Sequence, residues 1–312
     1  MDPKTIKLRD ATLREGLDTP GVCLSLEQRA RIAVALEQAG VRELEVVAPS
    51  RVAEELPIVR ELKRSAPTLR MSGLIYTYGK ECEREINDSA RTVDRFDLLI
   101  PVSPQRPPAE FHEKKRILQR AVSLAAVACC DFGVGFPHAF QAEKDMVIAL
   151  AEVAVRDGAR RVTVYDTNGS ADWQSVRELV EALKKSVDTE LFFHGHNDLG
   201  MATANSLAAV IAGADGLDVT VNGLGDRAGN TALEQIAAAL YVKGYDTGLT
   251  LGKIRELSRR VGEETTIAVS GLAPVVGEFV YWHRSPSHLS MPGLFEAIDP
   301  ELFGSSRKIS ES

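Results

Sequence analysis

The sequence contains few cysteines and no long apolar run. Its four cysteines are scattered and form no CxxC pair, so we expect neither a disulfide framework nor a cysteine-ligated zinc site. No apolar stretch approaches the about 18 residues of a membrane helix, and the N-terminal segment MDPKTIKLRD lacks the apolar core of a signal peptide. These absences predict a cytoplasmic protein that acts away from membranes.

Basic residues are outnumbered by acidic ones. The chain has 37 lysines and arginines against 44 aspartates and glutamates, which gives a formal net charge of -7. A broad nucleic-acid-binding surface is therefore not expected, because such surfaces carry excess positive charge. A small anionic substrate remains compatible with this composition, since a local pocket can be positive on a negative protein.

Short apolar runs alternate with longer amphipathic segments along most of the chain. Eight of these runs are rich in Val, Ile, Leu, Phe or Tyr and have the length of a buried parallel strand. Eight strand-helix repeats within roughly 245 residues predict a TIM (β/α)8 barrel over residues 1–248. The candidate strands are residues 6–10, 43–48, 70–76, 95–101, 131–137, 161–166, 190–196 and 216–222.

The competing α/β architecture is a doubly wound sheet. Such a sheet usually has a glycine-rich nucleotide loop after its first strand, and LRDATLREG is not one. After residue 248 the composition changes: TLGKIRELSRRVGEETT predicts one more helix, and the segment that follows is rich in Pro, Gly and Ser. We interpret residues 249–312 as a C-terminal helix and an arm that leaves the barrel.

Two of the six histidines, His194 and His196, stand one residue apart at the end of the seventh predicted strand. Residues i and i+2 of a strand point to the same side, so both imidazoles face one point. Two imidazoles and a carboxylate commonly bind a divalent cation while leaving positions for substrate. Glu15 is the best carboxylate, because barrel closure brings the ends of strands one and seven together. The alternative is that both histidines are ordinary packing or surface residues.

Other polar residues also follow predicted strands. A guanidinium at Arg14, beside the predicted metal, would bind a carbonyl or stabilise an enolate oxygen. Glu45 and Thr167 would orient substrate or water, or would satisfy each other or the backbone. We expect Asp10 to support Arg14, and Asp226 to pair with Arg227.

Three separated motifs carry a family resemblance. DATLREG (10–16), HGHNDLGMATANSLAAVIAGA (194–214) and NGLGDRAGNTALEQ (222–235) resemble the DRE-TIM metallolyase superfamily. Its Claisen-condensing branch includes isopropylmalate, citramalate and homocitrate synthases, and its lyase branch includes hydroxymethylglutaryl-CoA lyase. The resemblance implies a TIM barrel and a divalent metal (Mg, Mn, Zn or Co) held by Glu15, His194 and His196, with Asn230 as a further ligand or close neighbour. It also implies that Arg14 polarises a substrate carbonyl.

The arm is similar to that of the condensing branch. These synthases carry HxSGIH after the barrel, and HRSPSH here keeps both histidines, His283 and His288, at that spacing. The resemblance implies that His288 assists proton transfer in the active site of a partner subunit, and hence a homodimer. The lyase branch uses a cysteine in the loop after strand eight, where this chain has GLGDRAGN. That difference favours condensation over cleavage.

Four departures from the family pattern fall where a 2-oxo acid would lie. Asp18 stands where a substrate-contacting Gln is usual, and the loop after strand five offers Pro137 and His138 instead of a Glu. Phe295 replaces a common tyrosine, and the arm has SPS in place of SGI. These changes concern the identity of the substrate more than the chemistry. Further candidates for the pocket wall are Tyr76, Thr77 and His138.

The resemblance therefore implies an acyltransferase that condenses an acyl-CoA, most simply acetyl-CoA, with a 2-oxo acid. The products would be a 2-hydroxy di- or tricarboxylate and CoA. One alternative is a metal-dependent lyase or aldolase of the hydroxymethylglutaryl-CoA lyase type. Another is a barrel without activity that serves as a binding module, for which ligand residues should be missing, whereas all those proposed are present.

Overall fold

A computed structural model describes residues 4–103, 110–128 and 131–310 of the chain. Eight parallel strands close into one barrel in sequence order, and the last strand pairs with the first. This confirms the predicted TIM barrel. The barrel strands are β1 Lys7–Asp10, β2 Glu43–Val47, β3 Arg70–Tyr76, β4 Arg95–Leu99, β5 Phe132–Phe136, β6 Arg161–Asp166, β7 Glu190–Gly195 and β8 Gly216–Val219.

Helices follow the strands and surround the barrel. An apolar core of Val, Leu, Ile and Ala fills the layer between strands and helices. The helices are α1 Leu26–Gln38, α2 Val52–Ser65, α3 Cys82–Ala90, α4 Phe111–Ala128, α5 Lys144–Arg156, α6 Trp173–Ser186, α7 Ala202–Ile211, α8 Leu233–Val242, α9 Ile254–Thr265 and the short α10 Pro286–Ser290. Among the described residues, none of them combines the length and apolar composition needed to cross a bilayer.

Local signals in the sequence mark several element ends. Ser25 caps α1 by accepting a hydrogen bond from the backbone N–H of Gln28, whose side chain accepts one in return from the N–H of Ser25. Six predicted strands are longer than the observed ones, by one to three residues. The largest difference is in β8, which ends at Val219 ahead of a short 3-10 turn in which Asn222 adopts a left-handed backbone (φ 60°).

The interior of the barrel is charged. The fully buried guanidinium of Arg9 donates to both carboxylate oxygens of Asp218, at 2.7 and 2.8 Å, and to Asp97 at 2.7 Å. Closer to the N-terminal ends of the strands, Arg161 makes a bidentate pair with Glu43 at 2.7 and 2.8 Å. These paired charges fill the inside of the barrel and support the residues at its mouth.

The segment after α9 returns to the outside of its own barrel. Phe303 is fully buried and makes an edge contact with Tyr241 of α8, with ring centroids 6.0 Å apart. Two short strands, β9 Trp282–His283 and β10 Lys308–Ile309, pair with each other. Part of the arm therefore packs against its own barrel through Phe303. The division of the arm from the barrel near residue 248 stays a prediction.

Candidate active site

Glu15, His194 and His196 come together at the C-terminal ends of the strands. The Nε2 atoms of the two histidines are 3.3 Å apart, and Oε1 of Glu15 lies 3.6 Å from Nε2 of His196. All three residues are buried, and their ligand atoms lie within 4.8 Å of one another. Two imidazoles and one carboxylate thus face a common point, as the sequence predicted.

The strand ends and one loop set this geometry. His194 belongs to β7, and His196 just beyond it forms an antiparallel bridge with Asn230. Glu15 begins the 3-10 turn that follows β1. The loop after β8 passes close to both sides of the cluster at Gly225, which has φ 152°. A Cβ there would lie 2.0 Å from Oδ1 of Asn230, so this position requires glycine.

Asp218 fixes the tautomer of His194. Nδ1 of His194 lies 3.0 Å from Oδ2 of Asp218. Burial alone would raise the pKa of Asp218, but the charge of Arg9 and the hydrogen bond from His194 outweigh it, and the pKa is lowered. A carboxylate only accepts, so Nδ1 carries a proton, and Nε2 is the ring nitrogen that faces the cluster.

Burial also keeps His196 neutral. It lowers the pKa of His196 to about 2, with smaller contributions from the neighbouring His194, Arg227 and Arg14. A neutral imidazole is the form that binds a metal. His196 therefore needs no deprotonation near neutral pH before it can act as a ligand.

The donor set fits a divalent cation. Oδ1 of Asn230 is buried without a hydrogen-bond partner among the described residues, while its Nδ2 lies 2.9 Å from Nε2 of His194. The amide orientation is interchangeable, so this side chain can offer an oxygen beside the two imidazoles. Nitrogen and oxygen ligands of this kind accept Mg, Mn, Zn or Co.

Arg14 is held by two carboxylates. Its Nε donates to Oε1 of Glu45 at 2.6 Å, and it forms a close ion pair with Glu15. Glu45 is fully buried and also pairs with Arg9, at 3.1 Å. Glu45 is not among the residues that line the cavity described below, and its pairing with Arg9 and Arg14 places it where it can orient the guanidinium of Arg14. A catalytic role for Glu45 stays a prediction.

A cavity of about 340 Å³ opens beside the cluster. Asp18, Tyr76 and Thr167 line it, as predicted for substrate-contacting residues, and their contact with substrate stays a prediction. His138 does not line it: Pro137 does, and the backbone N–H of His138 donates to the hydroxyl of Thr167 at 2.8 Å. The left-handed backbone of His138 (φ 63°) accompanies this turn.

One predicted contact is not formed, and a second is formed only at long range. Asp10 does not support Arg14: its carboxylate accepts from the N–H and the hydroxyl of Thr12 at 2.9 and 3.0 Å, which closes the turn after β1. Arg227 lies 3.9 Å from Asp226 but donates to Asp198 at 2.7 and 3.0 Å. It therefore ties the loop after β8 to the loop after β7, because Asp198 is closer.

His288 lies in the arm and is not among the residues that line the cavity of its own chain. Its Nδ1 is 3.3 Å from Nδ1 of His283, and its ring stacks on Phe295 at 3.7 Å. Nε2 of His283 donates to Oε1 of Glu296 at 3.0 Å, because a carboxylate only accepts. The contact with His283 occupies Nδ1 of His288, so Nε2 is the other ring nitrogen available for proton transfer.

Sequence reasoning overlooked two residues near the cluster. Asp218 falls inside a predicted strand, where only its alternation with Leu217 and Val219 could have indicated an inward carboxylate. Tyr165 precedes the strand-end Asp166, and its ring lies 4.7 Å from that of His194. Its hydroxyl is buried without a hydrogen-bond partner among the described residues, and burial raises its pKa.

A closed parallel barrel with polar side chains gathered at its C-terminal mouth defines the class of TIM-barrel enzymes. The family model described as HMGL-like matches residues 5–261. The chain belongs to this HMGL-like family.

Curated relatives cover nearly the whole chain. It is 33% identical to 2-isopropylmalate synthase 2 of Caldanaerobacter subterraneus over 98% of this chain and 81% of the relative. It is 32% identical to the homocitrate synthase AksA of Methanothermobacter thermautotrophicus over 98% of this chain and 80% of the relative. A solved hydroxymethylglutaryl-CoA lyase from Pseudomonas aeruginosa superposes with a TM-score of 0.74 and 19% identity, covering 87% of this chain and 96% of the lyase. At that identity the lyase supports the fold alone.

Proposed function

We propose that the protein is a metal-dependent acyltransferase that condenses acetyl-CoA with a 2-oxo acid. The observation that carries this proposal is the meeting of Glu15, His194 and His196 beside Arg14 in one cavity. The synthase names of its relatives support the same reaction class. The products are a 2-hydroxy di- or tricarboxylate and free CoA.

Glu15, His194 and His196 would hold the cation, with Asn230 as a further ligand or close neighbour. A divalent cation bound there would supply Lewis-acid polarisation of the ketone. The protein's own contribution is to keep His196 neutral through burial and to orient the ring of His194 through its contact with Asp218.

Arg14 stabilises the negative charge that forms on the ketone oxygen. The Arg14 side chain is only 8% exposed, so its ionic interactions are screened less than those of a side chain in water. Glu45 holds the guanidinium in place from below, at 2.6 Å. The positive charge is therefore positioned before the substrate arrives.

The proposed reaction forms one C–C bond and hydrolyses one thioester bond. A base takes a proton from the acetyl methyl group, and that carbon forms a bond to the ketone carbon of the 2-oxo acid. His288 supplies or relays the proton that the new alkoxide receives. Water then cleaves the thioester C–S bond, which yields a carboxylate and the CoA thiol.

His288 would reach the cavity of a partner subunit. It lies outside the cavity of its own chain, and an imidazole suits a proton-transfer group. We therefore propose a homodimer in which the arm segment around His288 completes the neighbouring site. The scarcity of cysteine and the small anionic substrates agree with a cytoplasmic enzyme.

A thiol-release assay tests the proposed function. Acetyl-CoA and a panel of 2-oxo acids are supplied with Mg, Mn, Zn or Co, and free thiol and product mass are followed. We expect thiol release that depends on both substrates and stops with a chelator. A lyase would instead cleave a 3-hydroxyacyl-CoA without releasing thiol, and that outcome would overturn the proposal.

A further inference from the structure

The enclosed side of the cavity is apolar. Leu74, Leu99 and Tyr165 contact one another there, and Tyr76 packs against them. We call these four residues the floor. Leu74, Leu99 and Tyr165 are only 2%, 4% and 6% exposed, so these three residues lie at the closed end of the cavity, while Tyr76 is half-buried.

The floor adjoins the proposed metal ligands directly. The ring of Tyr165 is tilted against that of His194, with centroids 4.7 Å apart. On the far side the floor packs against β5 at Gly135, where an added Cβ would lie 2.5 Å from Cδ2 of Leu99 and 2.8 Å from Cε2 of Tyr165. The shape of the floor is thus fixed by close packing.

The charges that line the cavity lie elsewhere. Arg14 is engaged by Glu45 and Glu15, and Arg227 by Asp198. The third lining arginine, Arg51, contacts Glu54 and Glu55 at 3.4 Å. None of these arginines belongs to the floor, whose polar side-chain groups are the uncharged hydroxyls of Tyr165 and Tyr76. A carboxylate placed there would lose its water without gaining a cation.

The size of the acyl-CoA restricts where the 2-oxo acid can lie in the cavity. A space of about 340 Å³ holds a small acid but not a coenzyme A thioester, which must enter through the open mouth. A 2-oxo acid whose ketone lies at the cluster must therefore turn its side chain away from the mouth. The floor is the surface that this side chain meets.

We propose that the floor is the subsite for the side chain of the 2-oxo acid, and that the substrate class is 2-oxo monocarboxylic acids with an apolar aliphatic side chain. This inference rests on the proposed condensation. It excludes 2-oxo dicarboxylic acids as preferred substrates, because their second carboxylate would lie on the floor.

Pairs of acids that match in shape but differ in charge test the inference. 5-Methyl-2-oxohexanoate replaces the distal carboxylate of 2-oxoglutarate by an isopropyl group of similar shape, and 4-methyl-2-oxopentanoate does the same for oxaloacetate. We expect kcat/KM in the thiol-release assay to favour the apolar member of at least one pair by about 100-fold or more. Equal values, or a preference for the dicarboxylic acids, would overturn the inference and leave the proposed function standing.

A binding measurement distinguishes failure of this inference from failure of the proposed function. Calorimetry with the metal-loaded protein and no acyl-CoA should show tighter binding of the apolar acids, and equal binding would refute the inference by itself. Absence of thiol release with every acid would refute the proposed function, and the inference with it.

A substitution in the floor tests its role in substrate selection. Leu99→Ala should shift the preference toward longer apolar side chains by about 10-fold, whereas the exposed control Leu272→Ala should not. A shift of equal size in both variants would contradict the assignment of the floor.

Discussion

Nδ1 of His194 lies 3.0 Å from Oδ2 of Asp218, which the guanidinium of Arg9 holds in turn. This contact orients a proposed metal ligand from inside the barrel. We expect Asp218→Asn to weaken metal affinity by about 10- to 100-fold, because such supporting carboxylates fix the tautomer and raise the basicity of the ring.

Asp97→Asn is the matched control for that variant. Asp97 also accepts from Arg9 at 2.7 Å, and the structure gives it no contact with His194. Titration calorimetry with Mn²⁺ should show weakened binding in Asp218→Asn only. Equal losses in the two variants would mean that the buried ion pairs stabilise the barrel and have no specific effect on His194.

Arg14 gives a second prediction. Arg14→Lys keeps the charge but removes the planar contact with Glu45, at 2.6 Å, that positions it. We expect kcat to fall by about 100-fold with a smaller change in KM, since the charge acts mainly on the developing oxyanion. Steady-state kinetics check this, with Arg51→Lys at the cavity rim as the control. Similar losses of kcat in both variants would show that no special role belongs to Arg14.

Mixing two inactive variants tests the exchanged arm. His196→Ala removes a proposed metal ligand, and His288→Ala removes the proposed proton-transfer group. If His288 acts in a partner's cavity, a mixed dimer contains one site with both changes and one site with neither. Random exchange of equal amounts should then restore about a quarter of the wild-type sites. No recovery, with exchange verified by mass spectrometry, would place His288 in its own chain's site or outside the reaction.

The buried carboxyl of Glu234 makes stability depend on pH. Burial raises its pKa from 4.5 to about 7. The folded state therefore binds more protons than the unfolded state between these values, so stability should fall as pH rises through this window. Glu234→Gln keeps an acceptor for the N–H of Asn222, 3.1 Å away.

Urea unfolding at pH 5 and pH 8 measures the effect. We expect Glu234→Gln to raise the free energy of unfolding at pH 8 by about 1 to 3 kcal/mol. The decline of this free energy between pH 5 and pH 8 should also become smaller. The exposed Glu301→Gln serves as the control. A decline as steep as that of the wild type would mean that Glu234 does not titrate in this window.

Much of the barrel could be predicted from the sequence. Buried parallel strands are continuous apolar runs, and eight such runs separated by helical patterns left few architectures to consider. The metal cluster was also predictable, since the period of two on β7 places His194 and His196 on one side and barrel closure brings Glu15 near. Both predictions combine the local spacing of residues with one global constraint, the closure of the barrel.

What could not be predicted depends on pairings between distant strands. Arg9 and Arg161 stand inside strands and are almost fully buried, because carboxylates from other strands surround them. Nothing local to Glu45 indicates that it lies between Arg9 and Arg14 rather than on the cavity wall. The partner of Arg227 likewise depends on where the loop after β7 places Asp198.

Metal binding by the wild type and His196→Ala tests the proposed metal site directly. Equilibrium dialysis against Mn²⁺, with circular dichroism to verify folding, measures the number of ions per chain and their affinity. We expect one ion per wild-type chain, and we expect both the ion and thiol release to be lost in a folded His196→Ala variant. Unchanged stoichiometry and affinity in that variant would show that His196 does not bind the metal.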